Sequence, residues 1–424
     1  MNFTAHKLTN GLDLILAPLE STQTVTVLFL VKTGSKYEKK SESGLSHFLE
    51  HMFFKGTEKR PTTLAISEEL DKVGGIYNAF TGKECTAFYI KLAHIYLPLA
   101  LDVLSDMLIN SNFESQEIKK EKGVILEEIK LYQDTPTAYI DELFEKLLYG
   151  DTPSGRQIIG TKETVASFSQ QDIKQYLANH YSAKNSLLIV AGKIEPGIVL
   201  AKVKQYFSSY PTQNIVNKEK VIEQQSAPGL TVFYKKTDQT HLCLGVRTFD
   251  LFNKRKYSLA LLDTILGGGM SSRLFIKIRD QQGLAYYIKS AQESYTDSGY
   301  LMVQAGIRHQ NVEKVVKLIL KELELLKDKL VDEKELKKAK EHIKGITLLH
   351  LETSDQIASF LGTQKLLENK IEEPETIFKK LDQVSAHDLR DLSREIFVSG
   401  KLNLALINPL KNQKTSLGKI LKFN

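Results

Sequence analysis

The sequence predicts an α+β protein of two homologous domains, each a mostly antiparallel or mixed β-sheet packed with helices, joined by a linker. Three observations carry this. Strand-like and helix-like stretches interleave without the regular strand–helix–strand alternation of a doubly wound sheet. Blocks of the first half recur in the second: Ser169-Gln-Gln-Asp172, running on to Val190, matches Ser385-Ala-His-Asp388, running on to Leu406. Finally, 424 residues exceed one ordinary core and suit two. The expected division is 1–210, a polar linker over 211–228 bounded by Pro211 and Pro228, and 229–424.

The elements follow in order. Residues 2–33 read as strands broken by turns at Asn10-Gly11 and near Glu20-Ser21, with a β-rich run over 24–33 closed by Gly34-Ser35. A helix over 43–56 comes next. Its Leu45, Phe48, Leu49, Met52 and Phe53 form a complete apolar stripe at helical spacing. Ser43 or Ser46 is the expected cap, and Lys55-Gly56 the stop. A second helix over 64–73 ends at Gly74-Gly75, and strands over 76–92 are interrupted at 81–84. Helices are expected over 97–109, 114–133, 139–149 and 170–181, with a buried strand over 187–191.

The helix at 43–56 carries the chemistry. His47 and His51 stand one turn apart, so both rings can reach one metal ion, and Glu50 lies beside the second. A chance histidine pair on a solvated face is the bland reading; the Glu and the apolar backing weigh against it. Two neutral imidazoles and a carboxylate suit zinc, with an unligated carboxylate nearby to take a proton from water. The helix over 114–133 offers Glu121, Glu127 and Glu128. Glu121 and Glu128 are two turns apart on one face flanked by Val124, Ile125 and Ile129, and Glu127 is turned away. Glu128 is therefore the expected third ligand, with Glu121 behind it orienting a ligand or water. The opposing reading is an ordinary charged face.

The repeat bears on this assignment. Aligning Gly267 with Gly56 puts Ser258, Leu261 and Leu262 where His47, Glu50 and His51 stand, so the second half keeps the apolar stripe and loses all three polar groups. One chemically specialised half and one scaffold half follow.

Composition excludes several classes. Hydrophobic residues make up 42% and charged residues 25%, so the chain can bury a core rather than stay disordered. No apolar run approaches the roughly 20 residues of a membrane span. The opening residues lack a signal or transit pattern, which leads to the expectation of a cytoplasmic protein. Cys85 and Cys243 sit in strand-like runs and suggest no disulfide. A net charge of +6 is mild, and the Lys-bearing, acid-free stretch 401–424 reads as a solvated tail rather than a nucleic-acid patch.

These motifs together resemble the pitrilysin-type inverzincin metallopeptidases, in their two-domain, processing-peptidase-like branch. The carrying residues are His47-Phe-Leu-Glu50-His51, Glu121 through Glu128, Asn78-Ala-Phe-Thr-Gly-Lys-Glu-Cys-Thr-Ala-Phe-Tyr89, and Gly267 through Tyr286. The resemblance covers essentially the whole chain. It implies one zinc ion per chain on His47, His51 and Glu128, with Glu50 as general base. It implies that a peptide lies as an added strand along Asn78, Ala79 and Phe80. It implies that Arg279 and Tyr286 of the second domain assist the reaction, with Arg273 and Tyr287 as rival assignments. Because one chain carries both segments, a homodimer with composite sites is expected, acting on unfolded or extended peptides inside a chamber. A non-catalytic scaffold, or a subunit needing a separate partner chain, are the competing readings.

Overall fold

A computed structural model of the chain describes residues 1–213, 215–410 and 414–423. It has two compact units, each built on one sheet. The first comprises 1–130, 156–219 and 348–372; the second comprises 131–155, 220–347 and 373–424. The units are thus interleaved in sequence and do not follow a single linear cut at 211–228.

The first unit holds β1 (Thr4–Lys7), β2 (Asp13–Pro18), β3 (Thr24–Val31), β4 (Ile76–Thr81), β5 (Thr86–Ala93) and β6 (Ser186–Gly192), in the spatial order β1-β2-β6-β3-β5-β4. β2 and β6 run parallel, and the other neighbours are antiparallel. Both faces of the sheet are covered. Val25, Val27, Phe29 and Val31 alternate with Leu28 and Leu30 on β3, and the period of two sends each set to its own core. One core takes α1 (Leu45–Met52), α2 (Thr63–Asp71), α3 (Leu97–Asn110) and α4 (Ser115–Asp134). The other takes the helix Ser354–Glu368 through Ile357, Ala358 and Leu361. Gly362 lets that helix sit close to the sheet: a Cβ there would lie 2.6 Å from Leu30 Cδ1 and 2.9 Å from Ile189 Cδ1, so those side chains would have to shift.

The second unit holds β7 (Gly229–Tyr234), β8 (Thr240–Thr248), β9 (Ala285–Ser294), β10 (Gly299–Ile307) and β11 (Leu402–Asn408), in the order β7-β11-β8-β10-β9. This is the first sheet's order without β1. β7 and β11 are parallel like β2 and β6, and β9 takes the edge position held by β4. The helix Pro136–Tyr149 packs on this sheet through Ile140, Phe144 and Leu148. The repeat is visible in its caps. Ser169 and Asp172 bond reciprocally, with Ser169 N donating to Asp172 Oδ2 at 2.8 Å and Asp172 N to Ser169 Oγ at 3.2 Å. Ser385 and Asp388 do the same at 2.8 and 3.2 Å.

The solvated tail is corrected. β11 is an interior strand, fully buried along its length, and Leu417 and Leu421 pack into the same core. The alternating Leu402, Leu404 and Leu406 outweigh the flanking lysines. Residues 411–413 and 424 of that stretch lie outside the described residues. Among the described residues no helix is long and apolar enough to cross a membrane.

Candidate metal centre

The expected stripe of α1 is wholly buried: Leu45, Phe48, Leu49, Met52 and Phe53 are each at most 1% exposed. The helix is therefore anchored against the sheet, and His47, Glu50 and His51 take its remaining, half-buried side. Neither expected serine caps it. The cap position is Gly44, at φ +95, and its partner is Glu38, whose carboxylate accepts from Gly44 N at 2.8 Å and Ser46 N at 2.7 Å. Ser46 Oγ instead pairs with Tyr176 OH at 2.7 Å, and Tyr176 OH with Thr33 Oγ1 at 2.9 Å. This buried chain of hydroxyls ties the start of the helix to the end of the central strand. Burial pushes the Glu38 carboxyl up to about 7, against the pull of its Ser46 and Gly44 bonds.

α4 brings the third group. His47 Nε2 lies 3.7 Å from Glu128 Oε1 and His51 Nε2 3.6 Å from Glu128 Oε2, and the two imidazole centroids are 4.7 Å apart. One ligand atom from each residue lies within 4.8 Å of the others. These separations are too long for hydrogen bonds. The two His–Glu128 separations, 3.7 and 3.6 Å, are close to the roughly 3.4 Å between two ligand atoms each about 2.1 Å from a tetrahedral zinc ion. Glu128 Oε2 is buried with no hydrogen-bond partner among the described residues. Such an atom needs a cation, and burial pushes this carboxyl upward in the absence of one. Burial, with the neighbouring His51 imidazole adding to it, also holds His47 down at about 3, so its ring is neutral with a lone pair to give. The donor set fits a zinc ion.

Behind the ligands stands Glu121, 3% exposed. Its Oε1 meets His51 Nδ1 at 2.7 Å and its Oε2 meets Lys55 Nζ at 2.5 Å. Burial acts to raise this carboxyl, but the His51 and Lys55 contacts outweigh it and hold it below the ordinary value. A carboxylate only accepts, so His51 Nδ1 carries the proton and Nε2 presents its lone pair toward Glu128. Glu127 is turned to solvent and pairs with Lys130 at 2.6 Å.

Glu50 is not among the ligand atoms. Its Oε2 accepts from Thr81 Oγ1 at 2.6 Å, and burial raises its carboxyl against that bond. Thr81 is the last residue of β4, the outermost strand of the sheet, paired only to β5 among the described residues. Asn78 and Phe80 are exposed on this strand and Ala79 is buried. Asn78, Ala79 and Phe80 therefore lie on an edge that leads directly to Glu50.

Arg279 and Tyr286 belong to the second unit. The Arg279 guanidinium lies over the Phe275 ring at 4.8 Å, and Tyr286 stands 55% exposed on the edge strand β9. The rivals are committed elsewhere: Arg273 forms a bidentate pair with Glu335 at 2.8 and 2.6 Å, and Tyr287 OH meets His241 Nδ1 at 2.9 Å. In the helix Lys256–Gly267, Ser258, Leu261 and Leu262 are buried, whereas His47, Glu50 and His51 are half-buried.

Sequence reasoning passed over Glu38, Thr81 and the Lys55 contact. For Lys55 a signal existed, since it follows His51 by four residues as His51 follows His47. For Glu38 and Thr81 no local pattern points to α1.

Comparison with known proteins adds the following. Residues 14–162 match the model of the insulinase family, peptidase family M16, and residues 167–343 match that of the peptidase M16 inactive domain. The uncharacterised zinc protease YmxG of Bacillus subtilis is 37% identical over 404 residues, covering 95% of this chain and 97% of that one. An uncharacterised zinc protease of Streptomyces coelicolor is 31% identical, covering 96% of this chain and 90% of that one. Among solved structures, a protease from Helicobacter pylori superposes with a TM-score of 0.89 at 24% identity, covering 96% of this chain and 99% of that one. A peptidase M16 inactive domain from Pseudomonas fluorescens gives 0.88 at 18%, covering 98% and 99%. At these identities the two structures speak for the fold alone.

Proposed function

Because this chain belongs to the M16 peptidase family, we propose that it is a zinc-dependent endopeptidase of unfolded or extended peptides, with Glu50 as general base. The carrying observation is the convergence of His47, His51 and Glu128 to within 4.8 Å, with Glu50 beside them and outside the ligand set. One zinc ion per chain would be held by His47, His51 and Glu128. When bound, it supplies a Lewis acid that polarises the scissile carbonyl and acidifies a water. Glu50 would take a proton from the attacking water and return it to the leaving amine, a role that its burial-raised carboxyl favours. Thr81 holds Oε2 of Glu50 and leaves Oε1 for the proton. The peptide adds as a strand on the free edge of β4 along Asn78, Ala79 and Phe80, where backbone bonds select extended shape over sequence. Arg279 and Tyr286 are the proposed donors to the developing oxyanion. Their exposure, with Arg273 and Tyr287 engaged internally, supports them over the rivals. We further propose a cytoplasmic homodimer that pairs one protomer's first unit with its partner's second.

The scaffold reading is weaker. The family's inactive-domain model matches 167–343, outside the zinc motif, and the ligand set in 47–128 is complete. Zinc content and cleavage of a quenched fluorescent peptide pool, with and without chelator, for wild type and Glu50→Gln, test the proposal. The expected result is one zinc per chain in both, and cleavage lost in Glu50→Gln by roughly a hundredfold or more. Stoichiometric zinc with no cleavage of any pool refutes the endopeptidase reading.

A further inference from the structure

Lys55 closes a ladder that begins at His47. His47, His51 and Lys55 succeed one another at four-residue intervals along α1 and the turn after it, where Lys55 N donates to Met52 O at 3.1 Å. Opposite them on α4, Glu128 and Glu121 stand two turns apart. The rungs interlock: Glu128 faces both histidines, and Glu121 faces His51 with one oxygen and Lys55 with the other. The turn is built to stop there. Gly56 has φ +138, and a Cβ on it would lie 2.6 Å from Pro61 O. The helix ends at Met52, and Gly56 turns the backbone away directly after Lys55, which fixes where the ammonium enters.

We propose that Lys55 is a positioning residue for metal binding: it clamps the buried Glu121 carboxylate so that the other oxygen holds the His51 ring with Nε2 toward the metal. The assignment rests on the metal-centre reading above. Glu121 is 3% exposed, and an anion so placed needs a fixed cationic partner. Lys55 is the cation that meets Oε2, at 2.5 Å. With Oε2 held, the carboxylate plane cannot rotate, and Oε1 stays 2.7 Å from His51 Nδ1. Without the clamp the carboxylate turns, the ring loses its anchor, and one of three ligands is no longer oriented in advance. Lys55 touches neither substrate nor metal; it acts through Glu121.

The test uses the full chain and zinc alone as probe. Zinc dissociation constants are measured by competition with a chromophoric chelator for wild type, Lys55→Met, Lys55→Arg, Glu121→Gln and the Lys55→Met/Glu121→Gln double variant. Thermal melts of the metal-free proteins report folding. Lys55→Met is expected to weaken zinc by roughly tenfold, the low end for groups that orient a ligand. Lys55→Arg should stay within about threefold, because the cation is kept. In the Glu121→Gln background Lys55→Met should add no further loss. Lys55→Gln replaces Lys55→Met if the latter does not fold. Unchanged zinc affinity in a folded Lys55→Met overturns the proposal, and so does an equal loss in the Glu121→Gln background. A wild-type chain that binds no zinc overturns the metal-centre reading, and the Lys55 assignment falls with it.

Discussion

Thr81 Oγ1 donates to Glu50 Oε2 at 2.6 Å, so the final residue of the sheet's edge strand holds the proposed general base. The edge strand and the proposed base are linked through one hydroxyl. Thr81→Val removes the donor while keeping the shape of the side chain. It is expected to lower kcat by roughly tenfold, about 1.4 kcal/mol of barrier, with zinc content unchanged. Thr81→Ser keeps the hydroxyl and should stay within about threefold of wild type. Steady-state cleavage of a fluorescent peptide reads both variants. A Thr81→Val enzyme as fast as wild type would remove Thr81 from the mechanism.

Glu38 predicts a stability slope with pH. Its folded value of about 7 lies above the unfolded 4.5, so the folded state keeps the proton longer. The sign follows: the contribution is full below pH 4.5 and is lost as pH rises toward 7. A shift of that size corresponds to about 3 kcal/mol. Urea unfolding of chelator-treated protein at pH 5 and pH 7.5, for wild type and Glu38→Gln, measures it. Wild type should gain on the variant at the lower pH, and parallel curves would contradict this.

The two thiols are expected to be inert. Burial, with Glu84 adding to it, pushes Cys85 up to about 11, and burial also raises the thiol of the buried Cys243 well above its ordinary value. At pH 7.5 the thiolate fraction is then far below that of an ordinary cysteine. Iodoacetamide should label neither residue at a free-thiol rate until denaturant is added. Rapid labelling of native protein, located by peptide mapping, would show the burial to be wrong.

Sharing of sites between protomers has its own signature. Glu50→Gln and Tyr286→Phe chains are each expected to be nearly inactive alone. Mixed after dissociation, half of the dimers pair one chain of each kind, and one of their two sites is intact. About a quarter of wild-type activity should return if sites are composite across a two-fold dimer. No recovery, with mixed dimers demonstrated by native mass spectrometry, rules out sharing.

What the sequence determined by itself was whatever repeats within one element. The helical period assigned Leu45, Phe48, Leu49, Met52 and Phe53 to the core, and all five are buried. The same period separated Glu128 from Glu127, and Ser-x-x-Asp marked two caps that form alike in both halves. Side-chain direction along a helix is local, so these readings needed no partner. The tertiary structure decided which distant group meets which. It placed Thr81 on Glu50, thirty-one residues away, and Glu121 on His51, seventy away. It capped α1 with Glu38 where the local signal favoured a serine. It also set residues 348–372 into the first unit, against a sheet made from the other half of the chain. Such pairings follow from how strands are ordered and faces covered. Periodicity can say that a face needs covering, but only the packed chain decides what covers it.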